Sequence, residues 1–384
     1  MQVPYMPHVF DQSKPKDSAL KLVTFLFPEY VPKDDFHEDI QVTAVTEGTT
    51  NGLFKVTNYQ SGNPLSASNG IVDTALVKVY GEGTETLIDR ENHNLAPPLL
   101  ARFHNGHAYR FLPGKPCSVT DITEEVVWRG VARELAQWHA VLPVAKFDSS
   151  GDSIGVQDIL KHQPNVWSTA KKWLEAIPAG TEREKNQKEL LRNEFEHLVH
   201  RLRPDDEATR RSFVFGHGDL LSGNIILQDF VREATGHEVK TAKFIDYEHS
   251  TYCPRAFDLA NHFSEWTGFD CDYNLLPTTS TRREFVREYL HSYQRTTGQQ
   301  NAISEEDVST LLSEIDSYRG FPGFYWGLCA LIQAQASTGS IDFDYAGYAQ
   351  LRFAEYWAWR EEEDGTRARS MKDMPLRELK WSAA

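Results

Sequence analysis

The pattern of apolar residues changes at Pro113-Gly114-Lys115-Pro116, and this change constrains the fold more than any other feature. Before it, short β-branched runs alternate with turn-forming segments, as strands do. After it, apolar residues recur at the spacing of amphipathic helices. We therefore predict an α+β fold, in which a small antiparallel β lobe is hinged to a larger, mainly helical lobe. The predicted strands are residues 40–46, 53–58, 74–80, 99–103 and 107–112.

Three segments follow from this division. Residues 1–16 mix proline, charged and amide side chains and are predicted to be a flexible N-terminal arm. Residues 17–113 form the small lobe, and residues 114–384 form the large helical lobe. A short helix over 19–27 is expected to precede the first strand. The large-lobe helices are predicted at 124–142, 182–202, 281–294, 305–318, 324–336 and 345–360, with an N-cap at Ser304.

Composition excludes several classes of protein. A formal net charge of -15 over 384 residues argues against a nucleic-acid-binding surface. The four cysteines are scattered without a C-x-x-C motif, which predicts a reduced chain without a structural metal. The first sixteen residues do not resemble a signal peptide, and no apolar run is long enough to cross a bilayer. We expect a cytoplasmic protein that does not insert into membranes.

The segment that indicates chemistry lies between the strand-like runs 213–215 and 224–227. It reads Phe215-Gly-His217-Gly-Asp219-Leu-Leu-Ser-Gly-Asn224, and the next strand-like run ends at Asp246. Phosphoryl transfer requires an acceptor for the proton of the attacking hydroxyl and a metal that neutralises the phosphates. Carboxylate and amide oxygens are the ligands that Mg²⁺ prefers. Asp219 is therefore the predicted catalytic base, and Asn224 and Asp246 are the predicted metal ligands.

The motif also contains a histidine and three glycines. His217 is expected to brace the loop rather than to act as the base, because Asp219 is better suited to that role. An ordinary structural interpretation also exists, in which Gly216, Gly218 and Gly223 form turns that the polar residues cap. The strand-loop-strand context around the motif favours the catalytic interpretation.

The loop resembles the catalytic loop shared by protein kinases and the aminoglycoside/choline phosphotransferases. Residues 244–266 are similar to the choline/ethanolamine kinase signature, in which Ile-Asp-x-Glu is followed by Phe-Asp-Ile-x-Asn-His-Phe-x-Glu. The corresponding segments here run from Ile245 to Glu248 and from Phe257 to Glu265. The resemblance extends over residues 42–359. It implies a protein-kinase-like fold, with ATP and Mg²⁺ as cofactors and a small amino alcohol as substrate.

The same resemblance implies where the amine binds. Glu265 matches the family carboxylate that faces the amine, and Glu248 of the signature is assigned to substrate binding with it. Trp326 matches a pocket tryptophan, and Tyr345 is a further candidate; plain helix packing is the alternative for both rings. Cation–π contact with such a ring contributes about 0.5–2 kcal/mol. Cys329 stands where the family pattern has a second pocket tryptophan.

Ethanolamine is the expected substrate. Choline kinases of the family usually carry glutamine two residues after the loop aspartate, whereas this chain has Leu221, which resembles ethanolamine kinases. A primary ammonium donates three hydrogen bonds and a trimethylammonium none, so an ethanolamine site should offer more acceptors. The implied reaction forms phosphoethanolamine, the first step of the CDP-ethanolamine route to phosphatidylethanolamine. Choline kinase or another small-alcohol phosphotransferase is the alternative, and the resemblance leaves a homodimer open.

On the nucleotide side, the resemblance assigns Thr50 and Asn51 to a loop over the phosphates and Lys78 to the residue that reaches them. In the family, a glutamate on a helix holds that lysine. Compared with the family pattern, this chain lacks about three helical turns before His93, and Glu91 is the acidic residue nearby. Two hypotheses follow: a working kinase that uses Glu91, or a catalytically impaired variant of the same fold.

Overall fold

The computed structural model describes residues 3–26, 40–45, 52–58, 74–79, 99–142, 163–203, 213–232, 238–299, 302–336 and 343–384. The chain divides into two compact units, Met1–Pro113 and Gly114–Ala384. The predicted hinge segment, Pro113 to Pro116, spans this division.

The first unit is built on a six-stranded sheet in the order β1-β5-β6-β4-β3-β2. Its pairs are antiparallel except for β1 and β5, which run parallel. Along β3, buried side chains alternate with half-buried ones, and buried residues of the sheet form a core with the first helix, α1. The elements are β1 (Tyr5–Met6), α1 (Pro15–Leu26), β2 (Ile40–Val45), β3 (Gly52–Asn58), β4 (Thr74–Val79), β5 (Leu99–Phe103) and β6 (Gly106–Arg110).

The flexible arm predicted for residues 1–16 differs from the structure. Tyr5 pairs with Arg102 on β5, and the helix begins at Pro15. The ring of Phe10 is buried, with centroids 5.1 Å from Phe54 and 6.1 Å from Phe103. The side chain of Asn105 satisfies both backbone groups of Phe10, at 2.8 and 3.0 Å. Burial of one aromatic ring and pairing of its flanking backbone order a segment whose composition resembles a loop.

The second unit is mainly helical and contains two small sheets, ordered β10-β9-β7 and β11-β8. Its strands are β7 (Lys115–Pro116), β8 (Phe213–Gly216), β9 (Ile225–Arg232), β10 (Glu238–Phe244) and β11 (Thr251–Pro254). Its described helices are α2 (Glu125–Val141), α3 (Val166–Ala176), α4 (Glu182–Leu202), α5 (Arg255–Glu265), α6 (Thr279–Thr297), α7 (Glu305–Tyr318), α8 (Phe321–Ala336), α9 (Tyr345–Glu363), α10 (Thr366–Arg369) and α11 (Leu376–Trp381).

Local sequence explains where several of these helices begin. The Ser304 hydroxyl accepts from the Asp307 amide at 3.2 Å, and the Asp307 carboxylate accepts from the Ser304 amide, forming a capping box. Thr181 and Glu184 make the same pair at α4, and Asn165 and Ser168 make it at α3. The N-cap predicted at Ser304 is thereby confirmed.

Candidate active site

The pairing of β9 with β10 brings the two predicted metal ligands together. Ile225 lies opposite Phe244 at the end of the paired region, so Asn224 and Ile245 are the next residues on each side. The Ile245 amide donates to the Asn224 carbonyl at 3.0 Å. Asp246 follows at once with φ of 65°, a left-handed conformation that is uncommon outside glycine and that clusters at functional sites.

The side chain of Asn224 is oriented by Asp219. Its amide nitrogen donates to the Asp219 carbonyl at 2.8 Å and to Asp219 Oδ2 at 3.3 Å. The amide oxygen is therefore the Asn224 atom suited to a metal. This oxygen and the Asp246 carboxylate are both hard donors, of the kind that a divalent metal bound partly by nucleotide phosphates prefers. Among the residues that the structure describes, no group of three histidine, cysteine or acidic side chains could hold a metal by itself.

His217 is buried and braces the loop from inside. Its Nε2–H donates to the Ile245 carbonyl at 3.1 Å, so Nδ1 is the acceptor for the Asp219 amide at 3.3 Å. One ring thus connects the backbone of the loop at Asp219 with the backbone just before Asp246. Both ring nitrogens face backbone groups, as expected of a brace rather than a base.

Helix α5 presents a polar face to this loop. Asp258, Asn261, His262 and Glu265 recur at i, i+3, i+4 and i+7, which places them on one side of the helix, and all four are buried. Asn261 Nδ2 donates to the Gly218 carbonyl at 3.0 Å. His262 Nδ1–H donates to the Leu220 carbonyl at 2.9 Å. The helix therefore holds the loop by its backbone, immediately before and after Asp219.

The strongest of these anchors is Asp258. Its carboxylate accepts from the amides of His217 and Gly218 at 3.0 and 2.9 Å, and from His139 Nε2 at 2.9 Å. Burial alone would raise the pKa of Asp258, but the hydrogen bonds from His139 and the Gly218 amide hold that pKa below its ordinary value. His139 in turn bonds the Tyr289 hydroxyl through Nδ1 at 2.9 Å. Asp258 thus stays ionised inside the protein and fixes the turn before Asp219.

His262 is held neutral at the same face. Burial lowers its pKa to about 4, and its Nε2 accepts from the Trp266 indole at 3.2 Å. Gly218 completes the turn with φ of 78°, and a Cβ there would lie 2.3 Å from the His249 carbonyl oxygen. Only glycine fits this position, because a side chain would both strain the backbone and collide with the opposite segment.

Four rings form a cluster beside the loop, here called the aromatic corner: Trp173, His249, Tyr325 and Trp326. Trp326 Nε1 donates to Asn261 Oδ1 at 2.9 Å, which connects the corner to the loop anchor. The His249 ring lies 5.1 Å from Trp326, and the Trp173 ring lies 4.4 Å from Tyr325. Glu248 directly precedes His249 and is half-buried. The corner thus presents π faces, and Glu248 is the acidic residue next to it in the chain.

Cys329 lies one turn beyond Trp326 on α8. Burial, together with the negative charges of Asp219 and Glu248, raises the pKa of its thiol to about 12. Tyr345, at the first turn of α9, is buried, and its ring lies 4.9 Å from Phe343; burial and Cys329 raise its pKa.

Glu265 has surroundings that differ from the predicted amine site. It is buried and forms an ion pair with Arg352 Nη2 at 2.9 Å, while Glu355 lies 3.2 Å from Arg352 Nε. Burial raises the pKa of Glu265, and Arg352 opposes that rise. Arg352 therefore supplies the counter-charge that we expected from a substrate amine.

Lys78 lies on β4 of the first unit, opposite Leu53 on β3 and His107 on β6, and its side chain is buried. An ammonium buried to this extent requires a counter-charge. Thr50, Asn51 and Glu91 lie outside the described residues, as does the segment in which the family helix is expected.

A family model described as Choline/ethanolamine kinase matches residues 42–357. The chain belongs to the choline/ethanolamine kinase family. Mus musculus ethanolamine kinase 1 is 30% identical over 372 residues, which are 92% of this chain and 91% of that protein. A Drosophila melanogaster ethanolamine kinase is 33% identical over 321 residues, 78% of this chain but only 56% of that protein. This chain therefore spans about half the length of the Drosophila relative.

Solved structures agree on the fold. An ethanolamine kinase from Plasmodium vivax matches with a TM-score of 0.66 at 24% identity, covering 93% of this chain and 92% of that one. A choline kinase from Cryptosporidium parvum matches with a TM-score of 0.65 at 19% identity, covering 90% and 97%. The predicted α+β, protein-kinase-like fold is confirmed. Membership of this kinase family implies ATP as phosphate donor, a divalent metal and a small-molecule substrate.

The sequence-based site prediction did not include two groups of residues in this member of the choline/ethanolamine kinase family. Asp258, Asn261 and His262 lie inside the recognised signature, but their role in holding the loop was not predicted. The signal was available, since these polar residues recur at the spacing of one helix face. His139 and Trp173 carry no such signal, because their partners are distant in the chain.

Among the described residues, no helix has the length and hydrophobicity to span a membrane.

Proposed function

We propose that this chain transfers the γ-phosphoryl group of ATP to the hydroxyl of ethanolamine, with Mg²⁺ as the metal, and so forms phosphoethanolamine. The observation that carries the proposal is the pairing of β9 with β10, which gathers Asp219, Asn224 and Asp246 around one loop. Relatives named ethanolamine kinase over most of this chain support the choice of acceptor. The product would enter the CDP-ethanolamine route to phosphatidylethanolamine.

The bond changes assign a role to each residue. The ethanolamine oxygen forms a bond to the γ-phosphorus, the bond from that phosphorus to the oxygen bridging to ADP breaks, and the hydroxyl proton passes to the Asp219 carboxylate. Asn224 and Asp246 would hold the Mg²⁺, which supplies positive charge to the phosphates when bound. Asn224 also positions Asp219, because its amide nitrogen contacts the Asp219 carboxylate at 3.3 Å.

The ammonium of ethanolamine is assigned to the aromatic corner and to Glu248. A cation is attracted to the face of an indole, and Trp326 is fixed in place by its bond to Asn261. A carboxylate can accept two or more of the three ammonium hydrogen bonds. Glu265, which is already paired with Arg352, would support this site from behind rather than contact the amine.

Nucleotide binding is assigned to Lys78, Thr50 and Asn51, with Glu91 as the proposed partner of Lys78. The lysine would contact the phosphates and the loop would cover them. A cytoplasmic location and a homodimer remain predictions; sedimentation of the purified protein would test the latter.

The deciding experiment measures Mg²⁺-dependent ADP release with ethanolamine, with choline and without acceptor, at high enzyme concentration. We expect ethanolamine to stimulate release well above the other two conditions, and Asp219→Ala to abolish the stimulation. Preferential stimulation by choline would instead establish the alternative substrate. No stimulation by either amine, while ethanolamine still binds, would establish an impaired kinase and overturn the proposal.

A further inference from the structure

Helix α3 carries two tryptophans with different surroundings. Trp167 is buried and stacks on Phe321 with ring centroids 4.6 Å apart. Together with Ala170 and Leu174 it forms the stripe by which α3 packs on the core. Trp173 is only half-buried, so the anchoring of α3 does not account for it.

The neighbours of Trp173 belong to the candidate active site. Its ring centroid lies 4.4 Å from Tyr325, 6.2 Å from His249 and 6.3 Å from Trp326. Tyr325 and Trp326 are buried, which makes Trp173 the more accessible indole of the aromatic corner. A half-exposed indole face suits an organic cation.

Helix α8 carries only one of the two indoles that the family pattern places in the amine pocket. Cys329 is at i+3 from Trp326, so the two side chains lie on the same helix face. Cys329 occupies the position at which the family pattern has a tryptophan, and a thiol offers no π face to a cation. Trp173, from a different helix, has its ring centroid 6.3 Å from that of Trp326 and is the more accessible of the two indoles.

We propose that Trp173 is a specificity-determining residue that supplies the second indole face of the amine pocket, in place of the one missing at Cys329. The proposal rests on the proposed function, since it concerns how that site holds its cationic substrate. Trp173 would contact the ammonium and neighbouring methylene carbons, away from the reacting hydroxyl. Its removal should therefore weaken amine binding and leave the chemical step and ATP binding nearly unchanged.

The first experiment compares Trp173→Ala and Trp173→Phe with Trp167→Phe, a matched control on the same helix. We expect Trp173→Ala to raise the KM for ethanolamine about 3- to 30-fold, with kcat and the KM for ATP within about twofold. Trp173→Phe should fall between the wild type and Trp173→Ala. Trp167→Phe should lower the unfolding midpoint without changing the KM for ethanolamine.

A second experiment tests the compensation directly. Adding Cys329→Trp to Trp173→Ala should restore at least part of the ethanolamine affinity, because an indole returns to the family position. The unfolding midpoint of each variant is measured alongside, because restored affinity at an unchanged midpoint separates a binding role of Trp173 from a structural one. An unchanged KM in folded Trp173→Ala, or a loss that Cys329→Trp fails to reduce, overturns the proposal.

Direct titration of ethanolamine by calorimetry keeps this inference separate from the proposed function. If the wild type binds ethanolamine without turnover, the proposed function fails, whereas weaker binding by Trp173→Ala still supports the role of Trp173. Equal binding by the wild type and Trp173→Ala overturns the role of Trp173, whatever the turnover. Absence of ethanolamine binding to the wild type overturns both.

Discussion

The catalytic loop and the aromatic corner are neighbours in one unit, yet they are held by different forces. Around Asp219, the backbone groups of His217, Gly218 and Leu220 are bound by side chains of α5. The corner is held chiefly by ring packing, with the bond from Trp326 to Asn261 as its connection to the loop. Hydrogen bonds are directional, so they fix atoms that must transfer a proton, whereas ring packing tolerates small shifts.

This difference predicts that changes in the loop act on the rate and changes in the corner act on amine affinity. The largest effect is expected for Asp219→Asn, which removes the proton acceptor but keeps the size of the side chain. The rate constant kcat should fall about 100- to 10,000-fold. Steady-state ADP release measures it, and the exposed Asp229→Asn is the control. A fall of less than tenfold would contradict the assignment of Asp219 as base.

The next effect tests the anchoring of the loop. Asp258→Asn leaves one acceptor oxygen where two amides and His139 now donate. The free energy of unfolding should therefore decrease by about 3–5 kcal/mol. The value of kcat should fall as well. Urea unfolding measures the first effect, with the exposed Asp373→Asn as the control. Wild-type stability in Asp258→Asn would show that the anchor is not needed.

A pH effect follows from His262. Its pKa is lowered from 6.5 to about 4 in the folded protein, so below pH 6.5 the unfolded chain binds a proton that the folded one does not. The free energy of unfolding should therefore decrease as the pH falls from 6.5 to 4, by about 3 kcal/mol in total. Urea unfolding at several pH values measures the slope. His262→Gln should flatten it, and an identical slope in that variant would contradict the prediction.

The smallest effect concerns the connection between the two regions. Trp326→Phe keeps an aromatic ring but removes the donor to Asn261, which should lower the free energy of unfolding by about 1 kcal/mol. We expect kcat to change by less than about threefold, because Asn261 still donates to Gly218. A change of a hundredfold in kcat would show that the corner is as tightly coupled to the chemistry as α5 is.

Periodic segments were predicted well from the sequence. Helices α4 and α7 have the predicted bounds, and the strand at Leu99–Phe103 does too. Helix α3 was missed, although Asn165 and Ser168 provide its start signal. The structure of residues 3–16 could not be predicted from the sequence, because Phe10 packs against rings that lie far away in the chain.

The sequence by itself determined the fold class, the family and the order of the loop residues Asp219, Asn224 and Asp246, since these depend on local patterns and short motifs. Only the tertiary structure decided that Arg352 pairs with Glu265, that His139 holds the loop anchor Asp258, and that Trp173 packs near Trp326. Each of these contacts joins segments distant in the chain. Charge pairing and ring packing depend on which side chains meet in space, and local sequence patterns do not specify these long-range contacts.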